Sequence, residues 1–240
     1  MPFITLAIET TGHYGGIALL DKDQIIGEAS FSSKKTHSRR LLPLIKFLFK
    51  EMGIEFSDLS LVSVSQGPGS FTGLRIGMSV AKGLAFGLNI PIIGVPTLDA
   101  LAHLVTGCPG DFVCPVVDAR KNQFYCGLYK IENHLNHKRI TDYAALSAKA
   151  IAEKLKNKKV WLIGSGVELL LEQMESLENT EIKQPSNVIN RALPSAVGYL
   201  GYKTFKDQGK GHDLSLIKPL YVRPSDAELN FNRKKGRGAA

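Results

Sequence analysis

This 240-residue sequence predicts an α/β protein built from two tandem β-β-β-α-β-α lobes. Three observations carry that expectation. Residues 61–88 run from the apolar stretch Leu61-Val62-Ser63-Val64, through Gly67-Pro68-Gly69, into an apolar segment ending at Leu88. That is a strand, a turn that neither strand nor helix can pass, and a helix. Thr106-Gly107-Cys108-Pro109-Gly110 then holds two glycines and a proline in five residues, the composition of a boundary. On either side of it the same order of elements recurs, each half opening on an apolar strand that ends in an acid, Glu9 and Asp118.

The first half reads as strands over 4–8, 16–20 and 24–31, with Asp21-Lys22-Asp23 as a hairpin turn. A helix is expected over 38–52, stopped by Gly53. Strand 61–65 leads through the glycine turn to a helix over 72–88, capped by Ser70 or Thr72. Strand 91–95 and a helix from Thr97 to about Val105, with Thr97 as its cap, complete it. The second half reads as strands over 113–118, 124–131 and 139–143, a helix near 147–155, and strand 160–163. The turn Gly164-Ser165-Gly166 precedes a helix over 167–174, and Pro194 starts a helix reaching about Gln208. The expected units are 1–105, 106–230 and a flexible basic tail, 231–240.

Composition excludes several classes. A hydrophobic fraction of 44% with 22% charged residues is that of an ordinary globular chain. No apolar run reaches the ~18 residues of a membrane span. The first residues lack a basic n-region and meet Glu9 early, so they read as a strand and not as a secretory signal, and the expected compartment is the cytoplasm. Cys108, Cys114 and Cys126 are odd in number and lack zinc-type pairing, so they read as structural thiols. The net charge of +8 is compatible with an RNA-containing assembly. The basic residues cluster at Lys34-Lys35 with Arg39-Arg40, at 154–159, and at 233–237.

The glycine block is not a phosphate loop of the G-x-x-x-x-G-K-[ST] type, since no Lys-Ser/Thr pair follows. Nor is it G-x-G-x-x-G, because Gly73 falls one position late. Two readings remain: a tight turn packed against a neighbouring element, and a helix N-terminus in contact with phosphate.

Four stretches together resemble the TsaB (YeaZ) family: Glu9-Thr10-Thr11, the Gly67–Gly77 block with Ala81-Lys82-Gly83-Leu84-Ala85, Asp118-Ala119-Arg120, and Tyr221-Val222-Arg223. The resemblance covers about residues 3–225. It implies the actin-like (ASKHA, RNase H-like) fold and a part in making threonylcarbamoyladenosine beside the anticodon of tRNAs that read codons starting with A. It also implies two partners, the transferase paralogue TsaD and the ATPase TsaE, with tRNA met through the complex.

In TsaD two histidines of an Asn-His-x-x-Gly-His motif hold a metal. Here Thr97 and Leu101 fall at those positions, and neither is a plausible metal ligand. His103 lies nearby and alone. No catalytic residue and no metal site are therefore expected. Actin-like kinases carry Asp-x-Gly-x-Thr at the first hairpin; this chain has Glu9-Thr10-Thr11-Gly12-His13. Glu9, Thr10, Thr11, Gly12, Asp118 and Arg120 are the candidate nucleotide contacts. Asp118 with Arg120 has a plainer reading as an acid paired with an arginine at a hinge. No intrinsic cofactor is expected, and ATP or ADP at or near a partner interface stays open.

The helices over 38–52 and 72–88 are apolar around more than one ~100° stripe, so each should be buried on two sides. The second also carries Gly73/Gly77 and Gly83/Gly87, pairs four apart that admit close helix approach. A helix-on-helix partner face is expected, drawn on Arg39, Leu42, Lys46, Phe49, Gly73, Gly77, Met78 and Ala81, for a TsaD-like subunit or for a homodimer when the chain is alone. The rival readings are an ATP-dependent phosphotransferase or metallohydrolase of the same fold, and a free-standing tRNA-binding protein.

Overall fold

The computed structural model describes residues 2–32, 37–133, 136–174, 179–185 and 190–223. The basic runs at 34–35 and 233–237 and the expected tail lie outside them.

The first sheet is assembled from β1 (Ile4–Glu9), β2 (Tyr14–Asp21), β3 (Gln24–Ser32), β4 (Leu59–Gly67) and β5 (Ile92–Pro96), in the order β3-β2-β1-β4-β5. The hairpin strands are antiparallel; β1, β4 and β5 are parallel, with Ile8 opposite both Ile17 and Val64. Such a sheet needs cover on both faces. Helices α1 (Leu41–Met52) and α2 (Phe71–Leu88) bury Leu6, Ile8, Ile17 and Leu19 on one side, through Leu41, Ile45, Phe49, Met78 and Ala81. Gly53, left-handed at φ 62, ends α1 and donates its N–H to Lys50, as its type predicts. Ser70 caps α2 by accepting from the Gly73 N–H.

The second sheet runs β10 (Ala144–Leu146), β7 (Phe124–Cys126), β6 (Phe112–Asp118), β11 (Lys159–Ile163), β12 (Glu181–Lys183). A further hairpin, β8 (Tyr129–Asn133) and β9 (Asn136–Arg139), joins it through β6. Helices α4 (Ala148–Leu155) and α5 (Val167–Gln173) cover one face.

The single strand expected over 124–131 is two strands broken at Gly127-Leu128, and the strand expected over 139–143 is displaced to β9 and β10. The cause lies on β6. It pairs with β8 at Phe112 and Val113, and with β7 from Val116 onward. Pro115, which has no N–H to give, sits in the gap between the two pairings. The crossing segment is tied down where Ile140 and Thr141 donate to the Leu128 carbonyl.

The remaining two helices exchange places. Helix α3 (Thr97–His103) leaves the first sheet and packs Leu98, Leu101 and Ala102 against Val113, Tyr129 and Ile163 of the second. Helix α6 (Pro194–Gln208) returns to the first sheet, placing Ala196 and Val197 on Ala7, Ala18, Leu20 and Ile93. Residues 194–221, expected within a second unit of 106–230, are therefore built onto the first sheet: His212 bridges to Ile92, and Leu220 donates to Gln66. Helix α6 can approach because the facing residues are small. A Cβ on Gly198 would press on Leu20, and one on Gly201 on Ser63. Thr97 is the first residue of α3 and not its cap; its hydroxyl is buried and makes no hydrogen bond among the described residues.

Candidate functional site

At the end of β1, Glu9 is buried. One carboxylate oxygen accepts from the Thr11 N–H and the Thr11 hydroxyl, both at 2.5 Å, and the other accepts from the Ser65 hydroxyl of β4. Burial pushes its pKa up, and these hydrogen bonds only partly oppose that. Thr10 is buried as well, its hydroxyl donating to the Gly73 carbonyl at 2.8 Å. Ser70, at the head of α2, donates its N–H to the Thr11 carbonyl at 2.7 Å.

The glycines of the block explain this closeness. A Cβ on Gly69 would meet the Thr11 backbone, one on Gly73 the Thr10 carbonyl, and one on Gly77 the Thr10 hydroxyl. Of the two sequence readings, the turn packed on a neighbouring element is the one found. The Thr10 and Thr11 hydroxyls and the Thr11 and Ser70 N–H groups are already engaged within the chain, which argues against Thr10 and Thr11 as nucleotide grips. Gly12 offers its carbonyl to the His37 ring at 3.1 Å.

The end of β6 is the counterpart. Asp118 is exposed and accepts the Arg120 N–H at 2.7 Å, so the pairing expected with the arginine side chain is made by its backbone. Arg120, Lys121 and Asn122 are all left-handed, at φ 60, 56 and 56. A non-glycine residue held there stores strain, and such strain clusters at functional turns. As in the first half, a glycine turn clasps the strand end: Gly166 donates to the Val116 carbonyl, and a Cβ on it would meet the Asp118 N–H at 2.9 Å. The two strand ends are linked through the C-terminal segment. Leu220 is fastened to Gln66, Tyr221 stacks on Phe71 at 5.2 Å, and Arg223 reaches Gln123 at 2.9 Å.

The expected partner face is redistributed. Phe49, Met78 and Ala81 lie in the chain's own core, and Gly73 and Gly77 lie beneath Thr10, so none of the five faces outward. Arg39, Leu42 and Lys46 are exposed. What α1 and α2 show to solvent is instead Leu42, Phe47, Met52, Phe71 and Phe86, the last 77% exposed. Gly83 and Gly87 lie on the same outer side, and a Cβ on either would meet nothing within 4 Å. Sequence reasoning found the Gly83/Gly87 spacing but not Phe86. Its signal was its place beside those glycines, one step off the row Ala81-Ala85 that faces the core.

At the positions where TsaD carries its histidines, Thr97 and Leu101 are both buried, 2% and 1% exposed, in the packing of α3. His103 is not alone: it stacks on Tyr199 at 4.6 Å and stands edge-on to His137 at 6.3 Å. Among the described residues no group of three or more His, Cys, Asp or Glu is placed to hold a metal ion.

Comparison with known proteins follows the same line. The family profile described as "TsaD: tRNA N6-adenosine threonylcarbamoyltransferase" matches residues 24–228. The tRNA threonylcarbamoyladenosine biosynthesis protein TsaB of Bacillus subtilis (strain 168) is 34% identical over 227 residues, covering 94% of this chain and 96% of that one. The solved structure of YeaZ from Pseudomonas aeruginosa superposes with a TM-score of 0.76 at 24% identity, over 91% of this chain and 99% of that one. The ethanolamine utilization protein EutJ from Carboxydothermus hydrogenoformans shares the fold at a TM-score of 0.51 and 9% identity, over 84% and 91% of the two chains.

Proposed function

Since this chain belongs to the TsaB (YeaZ) family of tRNA threonylcarbamoyladenosine biosynthesis proteins, with the actin-like fold, we propose that it acts as a non-catalytic subunit that docks onto a TsaD-type transferase and activates it. The observation that carries this reading is the outer face of α2. A glycine inside a helix costs roughly 1 kcal/mol against alanine, and among the described residues nothing packs against Gly83, or against Gly87 in the last turn, to offset that. Beside them Phe86 leaves most of a large apolar ring in water. A second helix crossing at Gly83 and Gly87 would bury both.

The sealed strand end supports the non-catalytic part. Actin-like phosphotransferases need an acid at that place to organise metal and nucleophile, and phosphoryl transfer depends almost entirely on positioning. Glu9 is committed to Thr11 and Ser65 and is held towards its neutral form by burial. A phosphotransferase or metallohydrolase reading is disfavoured on that ground. The subunit's contribution is then mechanical: it holds the transferase in its active arrangement while tRNA is met by the complex. ATP or ADP at or near the interface, a TsaE-type ATPase and a homodimer in the transferase's absence belong to the same proposal, with the cytoplasm as the place of action. Among the described residues no helix is long and apolar enough to cross a membrane.

The experiment is light scattering on the chain mixed with the TsaD-type transferase of its own organism, with and without ATP and Mg²⁺, using wild type and Phe86→Asp. A heteromer formed by wild type and lost in a normally folded Phe86→Asp supports docking through α2. Equal complex formation by both would refute that face, and ATP turnover by the lone chain would refute the non-catalytic role.

A further inference from the structure

On the sheet face opposite α1 and α2, helix α3, the β8–β9 hairpin and α6 enclose a pocket of about 610 Å³ at the junction of the two sheets. That volume is within the range of small-molecule sites. Its cations are Lys203 from α6 and Lys138 and Arg139 from β9. Its acids are Asp99 and Glu132. Asp99 is already engaged, accepting from the Tyr129 hydroxyl at 2.5 Å and the Tyr143 hydroxyl at 2.7 Å, with the Arg139 guanidinium 4.4 Å over the Tyr143 ring. Lys203 donates to a neutral group, the Asn136 side-chain oxygen, at 2.8 Å.

Two histidines complete the wall. His137 lies 3.0 Å from the Val105 carbonyl through Nε2, a contact that requires the proton on Nε2. Its Nδ1 is buried and has no hydrogen-bond partner among the described residues. His103 is fixed flat against Tyr199, its ring 10° from parallel. With no accessible surface, the His137 Nδ1 does not open onto the pocket, so His137 serves as part of the wall and as the neighbour of His103.

We propose that this pocket binds a tetrahedral oxyanion, a phosphate monoester or the phosphodiester of a nucleic-acid backbone, with Lys203 as its fixed cation and His103 as a donor that forms on protonation. Lys203 on α6, Lys138 and Arg139 on β9 and His103 on α3 line it from three elements and so from separate directions, which suits a tetrahedral ligand better than a planar one.

The electrostatics of the pocket agree. His103 is pushed down to about 4 by burial first, then by His137 and Lys203. His137 is also lowered, chiefly by burial with Lys203 adding, while its bond to Val105 opposes. Tyr129 and Tyr143 stay protonated, since burial and then Asp99 raise both phenols. Near neutral pH the rings are uncharged, and the neighbouring cations resist their protonation. An anion among them reverses that field, so binding takes up protons and tightens as pH falls.

The test uses sulfate, which stays a dianion throughout the range in which histidine titrates. The ring resonances of His103 and His137 are followed by NMR against pH, with and without sulfate, and assigned with His103→Gln and His137→Gln. The expected result is a rise of the His103 pKa by about one unit or more, with sulfate affinity growing up to about tenfold per pH unit for each proton taken up. Lys203→Gln should weaken sulfate about tenfold, while Lys50→Gln on α1 should leave it unchanged. Competition by a short RNA hairpin would identify the phosphodiester as the source, and competition by a nucleoside monophosphate alone the free ligand. Histidine titrations that ignore sulfate, or sulfate binding indifferent to Lys203→Gln, would overturn the site. Heteromer formation with the transferase is read separately and is expected to survive Lys203→Gln.

Discussion

Gly73 and Gly77 near the start of α2, and Gly83 and Gly87 near its end, share one spacing on one apolar helix. Their surroundings differ completely. The first pair is covered by Thr10, whose hydroxyl hydrogen-bonds the Gly73 carbonyl. The second pair faces open space beside the exposed Phe86. The same residue pattern thus serves internal packing at one end of the helix and stays uncovered by the described residues at the other. A glycine is compensated where something packs on it, and Gly83 and Gly87 have no such neighbour among the described residues.

That contrast can be broken most strongly at Gly73. An added methyl group there would meet the Thr10 backbone carbonyl, which cannot swing aside as a side chain can. Gly73→Ala is expected to cost about 3 kcal/mol or more, read from the midpoint of urea unfolding. A cost below that of Gly77→Ala, whose methyl group would meet the more yielding Thr10 hydroxyl, would contradict the packing described. Next in size is the loss at the outer face. Gly83→Trp should leave the melting temperature of the isolated chain nearly unchanged and weaken association with the transferase at least tenfold, about 1.4 kcal/mol.

The smaller change at the same position sharpens the comparison. Gly83→Ala should stabilise the lone chain by up to about 1 kcal/mol, raising its melting temperature by about 2–4 °C, because alanine is the better helix former and nothing resists the methyl group. The same variant should bind the transferase no better than wild type. Stabilisation at Gly83 against destabilisation at Gly73, measured side by side, is what distinguishes the two pairs.

Glu9 gives a pH-dependent form of the test. Its pKa is raised in the folded chain by burial, so the native state holds a proton that the unfolded chain releases above its ordinary 4.5. The stability from that proton is full below 4.5 and is lost as pH rises through the folded pKa. Glu9→Gln should flatten that decline in unfolding experiments, since a glutamine can still accept from Thr11. An unchanged slope would mean that Glu9 is ionised in place. The smallest expected effect is at the other strand end. Arg120→Gly relieves a left-handed residue and should stabilise by at most about 1 kcal/mol in the same experiment.

Much of the fold was legible in the sequence because its signals are local. Ser70 beside the glycine turn, Gly53 after an apolar helix and Pro194 at a helix start each fix a boundary within a few residues. What escaped depended on distant contacts. Gly73 and Gly83 look alike along the chain, and only Thr10, 63 residues before Gly73, tells them apart. The return of α6 to the first sheet rests on Ala7, Ala18 and Ser63 being small, which no window around residues 194–208 reveals. The break between β7 and β8 follows from Pro115 on their partner strand. At the candidate site, the acid at each strand end could be read. That Glu9 is closed off by Ser65 while Asp118 stands open could not, because burial is decided by β4 and α2 in the one case and by a short turn in the other.

The proposed docking has α2 presenting its Gly83–Phe86 face to a TsaD-type transferase. Its most direct test is light scattering on wild type and Gly83→Trp, each mixed with that transferase. A heteromer with wild type and separate components with a fully folded Gly83→Trp is the predicted result. A heteromer of equal mass and affinity from both would contradict it.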